Sequence, residues 1–124
     1  MIVSLALVAG CSGSDAAKPT DMKAACARLR DVGNEILKLQ ADGSDTQKSA
    51  VRRAVEAFDE AARASDDAEL AKQANITLTG FRVYLKGRGI DAEEGGHKAT
   101  IAIDRAGKRC IESGTVKTLP TQPR

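Results

Sequence analysis

Aromatic side chains are nearly missing from this chain: Phe58, Phe81 and Tyr84 are the whole set among 124 residues, and there is no tryptophan. A core without large rings is filled by Ala, Leu, Ile and Val, which suits helices packed at close range better than a sandwich of strands. Histidine is scarcer still, with His97 alone. Glu94-x-x-His97 has the form of half a di-iron bundle motif, but the other half needs a second histidine. A Ser-His-Asp triad survives counting, yet no serine sits on the strained turn that exposes such a nucleophile. No Cys-x-x-Cys occurs, which argues against dithiol redox catalysis, and no Cys-x-x-Cys-His is present to attach haem. A Gly-Lys-Ser phosphate loop is absent as well. Charge of one sign is lacking too: the net charge is +2. Nucleic acid is therefore not an expected partner, because it favours a concentrated basic face. No enzymatic chemistry and no cofactor follow from these residues.

What the chain does have is helical periodicity. Helix one is predicted from 21 to 41, with Thr20 as its cap after Pro19 and Gly43 beyond its end. Its apolar residues Met22, Ala25, Cys26, Leu29, Val32, Ile36, Leu37 and Leu39 recur in steps of three and four. Helix two is predicted from 45 to 64, opened by Ser44 and Gln47 at capping-box spacing. Its stripe is Ala50, Val51, Ala54, Val55, Phe58, Ala61 and Ala62. Arg52 with Glu56, and Asp59 with Arg63, fall at i,i+4 spacing on its expected water-facing side.

Helix three is predicted from 67 to 86, with Asp66 and Glu69 as a second capping box and a stripe of Leu70, Ala71, Ala74, Leu78, Phe81 and Leu85. No Gly or Pro separates helices two and three, so one long helix over 45–86 is the alternative. Continuing the first stripe at 3.6 residues per turn would put Lys72 and Gln73 on the apolar face, and the observed stripe is displaced by about half a turn. A tight turn near Ser65-Asp66 removes that mismatch. Residues 87–96 are a glycine-rich connection, and helix four is predicted from 97 to 112 with Ala99, Ala102, Ile103, Ala106 and Cys110 on one face. The predicted fold is an all-α, up-down-up-down four-helix bundle over residues 21–113, and a tail at 114–124 holding Pro120 and Pro123 is expected to be disordered. In such a bundle Met22 and His97 lie at opposite ends, roughly 25 Å apart, too far to share one haem iron.

Residues 2–9, Ile-Val-Ser-Leu-Ala-Leu-Val-Ala, form an apolar run too short for a bilayer, which needs about 20 residues. They suit the apolar region of a secretory signal. Val8-Ala9-Gly10-Cys11 follows and resembles the lipobox of bacterial lipoproteins. That resemblance implies a signal peptide at 1–10, a diacylglycerol thioether on Cys11, cleavage before it, and a polar tether over 11–20. It also implies an anchor in the cell membrane with the domain on its extracytoplasmic face. Such signals open with Lys or Arg, and nothing charged precedes Asp15, so a start upstream of Met1 is expected. The alternative for this segment is a short buried helix with a packed cysteine.

Acylation of Cys11 leaves two cysteines, and an even pair in an oxidising compartment suggests a disulfide. Cys26 lies near the start of helix one and Cys110 near the end of helix four, which an up-down-up-down bundle puts at the same end. The alternative is two buried free thiols. The Ala-rich helical domain behind a lipobox resembles the small lipoproteins of high-G+C Gram-positive bacteria and their phages. The expected function is that of a membrane-anchored, non-enzymatic binding module for an envelope protein or polymer. The alternatives are a structural or phage-exclusion surface lipoprotein, and small-ligand or metal binding at the 87–97 loop. Recognition is expected at the bundle end opposite the tether, through Arg88, Ile90, Asp91, Glu94 and His97; a flexible connector is the plainer alternative. Arg82, Lys86 and Arg88 crowd the end of helix three, where cations complement the helix dipole and a basic patch would suit acidic envelope polymers.

Overall fold

A computed structural model describes residues 19–115. The leader, Cys11, nearly all of the tether and the tail beyond Thr115 lie outside the described residues. The fold is four α-helices: α1 (Pro19–Ala41), α2 (Asp45–Ala64), α3 (Ala68–Lys86) and α4 (Gly89–Glu112). Connections of only two or three residues force neighbours to run antiparallel. Each helix packs on the next, α3 against α4 most extensively, and α1 meets α4 over a much shorter stretch to close the bundle. No helix among the described residues is long and apolar enough to cross a membrane.

The core is built from the predicted stripes. Leu29 and Val32 of α1, Val51, Val55 and Phe58 of α2, Leu70 and Ala74 of α3, and Ala99, Ile103 and Ala106 of α4 are all buried. Leu37, assigned to the stripe of α1, is instead half exposed. Pro19 opens α1, where its missing N–H and fixed φ cost nothing, so Thr20 falls inside the first turn rather than capping it.

The long-helix alternative over 45–86 is overturned at residues 65–67. Asp66 adopts a left-handed backbone with φ +61°, and Ser65 Oγ donates to Ala62 O at 2.6 Å. Asp67, not Asp66, caps α3, its Oδ1 accepting from Leu70 N at 2.8 Å. The break is where the stripe phase put it, although Gln73 is buried after all. Asp59 is likewise buried rather than water-facing: Arg63 reaches its Oδ2 at 3.0 Å, while Oδ1 has no hydrogen-bond partner among the described residues.

The largest departure is at α4, which begins at Gly89, eight residues before the predicted start. The supposed 87–96 loop is mostly the first two turns of a helix. Glycine in a helix interior costs about 1 kcal/mol relative to alanine, and here the loss is offset by packing. A Cβ on Gly95 would lie 2.7 Å from Gly80 O, and one on Gly80 would lie 2.5 Å from Gly95 O. The two bare backbones touch, and α3 and α4 are held at a separation that no side chain permits. Arg88 occupies the cap position of α4, and its side chain makes no capping bond.

Candidate functional site

The two ends of the bundle are built differently. At one end Cys26 and Cys110 form a disulfide, with Cα atoms 6.0 Å apart. Beside it Arg109 donates from Nε and Nη2 to Asp67 Oδ2 at 2.9 and 2.6 Å. Asp67 therefore serves two elements at once, one oxygen capping α3 and the other holding the last turn of α4. The Arg109 hydrogen bonds, aided by the Leu70 N–H, keep the Asp67 carboxyl below its ordinary pKa against the opposing effect of burial. The same pairing raises that of Arg109.

At the opposite end α1 and α4 part. The gap is a groove of about 350 Å³ lined by Ile36, Leu39 and Gln40 of α1, Phe81 and Tyr84 of α3, and Glu93, Gly96 and Thr100 of α4. Phe81 is buried, and Tyr84 stands edge-on to it, ring centroids 6.0 Å apart at 76°. The Tyr84 ring packs against Gly96, where an added Cβ would meet Cδ1 at 2.8 Å. Glycine at 96 thus lets an aromatic ring settle on the helix backbone. Thr100 Oγ1 donates to Gly96 O of its own helix at 2.9 Å. The result is an apolar trough with a polar rim of Gln40 and Glu93, the pattern of sites that bury an apolar group and orient it by a few polar contacts. Gln47 steadies the α1 side: its Nε2 donates to both Glu35 O and Glu35 Oε1 at 2.9 Å. That bond is the main reason the Glu35 carboxyl sits below its usual pKa. Gln47 therefore does not close the predicted box on Ser44, although Ser44 Oγ does accept from Gln47 N at 3.2 Å.

The residues singled out from the sequence do not form one site. Ile90, Glu94 and His97 share a shallow surface along one face of α4 with Glu93 and Lys98. Ile90 is 73% exposed, the most exposed large apolar side chain among the described residues. Arg88 faces a different hollow at the bundle end, beside Gly43, Gly87 and Gly89. Asp91 is exposed on the first turn of α4. The expected 87–96 loop is corrected to helix from Gly89 onward, and α4 fixes Ile90, Asp91, Glu94 and His97 at rigid spacing. Among the described residues no three His, Cys, Asp or Glu side chains converge as metal ligands. Tyr84 and Gly96, the centre of the groove, went unrecognised in the sequence. The available signal was Gly80 and Gly95-Gly96, small residues on two segments that pack antiparallel. Compared with protein-family models, curated proteins and solved structures, the chain gives no significant match.

Proposed function

We propose that the chain is an exported, lipid-anchored binding protein without enzymatic activity, held to the extracytoplasmic face of the cell membrane through Cys11. The observation that carries binding is the groove between α1, α3 and α4, an apolar trough kept open at the end away from the disulfide. Val8-Ala9-Gly10-Cys11 supports the anchor, and a bridged Cys26–Cys110 pair accords with an oxidising compartment. α1 starts at the disulfide end, so an anchor preceding it would leave the groove pointing away from the membrane.

Both halves are testable on the full chain. Anilinonaphthalene sulfonate, an apolar anionic dye, should show saturable fluorescence enhancement with the native protein. Leu39→Lys in the groove wall should weaken its binding about tenfold, equivalent to about 1.4 kcal/mol, with the helical circular dichroism unchanged. Absence of enhancement, or an unaffected variant, removes the groove. For the anchor, the mass and partitioning of protein made in a bacterium are compared with those of Cys11→Ala. A variant with the same modification mass and the same membrane association removes the lipid.

A further inference from the structure

The face between α2 and α3 carries a concentration of positive charge that is only partly compensated. A cleft of about 230 Å³ is lined by Lys48, Arg52, Arg82 and Lys86, with Asp45 as the single carboxylate. The whole chain carries only +2, so these four cations are a local excess rather than a share of a basic protein. On each helix the two cations are four residues apart, about 6 Å along the axis. Antiparallel packing sets the pair on α2 against the pair on α3, like charge facing like charge, an arrangement that disfavours the fold by itself. None of the four makes an ion pair among the described residues. Even Glu56, four residues after Arg52, makes none with it. Lys48 also stands in the first turn of α2, where the helix dipole favours anions instead, whereas Lys86 in the last turn of α3 is favoured by its own helix.

We propose that this cleft binds a linear polyanion through its phosphate groups, two rows of cations flanking one chain. Arginine forks take phosphate oxygens bidentately, and lysines add point charges that tolerate variation in the repeat. The cleft lies at the end away from the disulfide, since Arg82 is about 20 Å along α3 from its start. A polymer is thus favoured over lipid headgroups lying in the plane of the proposed anchor. This goes beyond the groove between α1, α3 and α4, which shares no lining residue with it, so either site can fail alone.

The test uses the full chain and inorganic polyphosphate as probe. Saturable binding is expected, with orthophosphate far weaker because it spans one cation pair only. Four neutralised phosphates should weaken affinity about fifty-fold between about 50 and about 200 mM salt, taking the single-strand counterion coefficient. Arg52→Gln with Arg82→Gln should reduce that loss to about seven-fold. Arg105→Gln, an exposed cation elsewhere on α4, should leave it unchanged. Each variant is checked for native urea stability. No polyphosphate binding, an unaltered salt dependence in the double variant, or preference for phosphatidylglycerol vesicles over polyphosphate would overturn the proposal.

Discussion

Gly95→Ala separates two physical accounts of α4 because they predict opposite signs. Helix propensity alone makes alanine more stable by about 1 kcal/mol. The contact geometry says otherwise. The new Cβ would lie 2.7 Å from Gly80 O and 2.9 Å from Val83 Cβ. The first neighbour is backbone, so no rotamer change relieves it. Restoring ordinary contact parts α3 from α4 by about 0.7 Å at this point. A gap of that size forfeits about a quarter to a half of each dispersion contact across it, along the most extensive seam in the bundle. Overpacking of this kind costs about 1–3 kcal/mol. With a backbone atom as the obstacle the upper part of that range applies, leaving a net loss of about 1–2 kcal/mol after the propensity gain. Equilibrium urea unfolding with the disulfide intact measures it. Gly80→Ala, with its Cβ 2.5 Å from Gly95 O, should lose more. The double variant should lose less than the sum, since the first methyl has already parted the helices. A Gly95→Ala protein as stable as the native one would refute the reasoning.

Three further outcomes follow from the same geometry. Replacing Cys26 and Cys110 together by alanine opens a loop with a sequence separation of 84; urea unfolding should show a loss of up to about 4.5 kcal/mol by the chain-entropy relation, and a loss below about 1 kcal/mol would mean the unfolded chain gains little freedom. Asp67 has a depressed folded-state pKa, so its stabilising contribution is complete above the unfolded value of about 3.9 and is lost as pH falls through the lower folded one. Asp67→Asn keeps a capping oxygen but loses the charge, and stability measured against pH should be flatter for it below about pH 4. Gly96→Ala should push the Tyr84 ring out of its seat, seen as a change in tyrosine NMR shifts and weaker dye binding; an unmoved ring would show that α4 yields instead.

How far the sequence reveals this architecture depends on which force decides each element. The apolar stripes place α2 almost residue for residue, because burial of Val51, Val55 and Phe58 sets the phase. The offset of about half a turn between the stripes of α2 and α3 locates the break near Ser65 without any glycine or proline to mark it. The cysteine pair is equally legible, since bundle topology alone brings the start of α1 to the end of α4. The start of α4 is not legible locally. Gly95 and Gly96 read as breakers because their propensity is local, whereas the contacts that keep them helical, Gly80 and Tyr84, lie on another helix. The groove is hidden for the same reason: Leu39, Phe81 and Gly96 come together only once three helices have packed. Gln73 and Asp59 show the converse error, where polarity suggested water and packing against a neighbouring helix removed it.

The bridge between Cys26 and Cys110 also makes the bundle a closed ring in the mechanical sense. Tension applied at the two ends of the chain enters at Cys26, crosses two sulfur atoms and leaves at Cys110. The four helices between them carry no load, apart from the first turns of α1 and the last residues of α4. Pulled from its ends, the oxidised protein should extend only by its flanking segments. On reduction the enclosed span of 84 residues joins the load path and adds about 290 Å of contour at the extended length per residue. Under the proposed anchor at Cys11, both the groove and the basic cleft would thus stay out of the line of force.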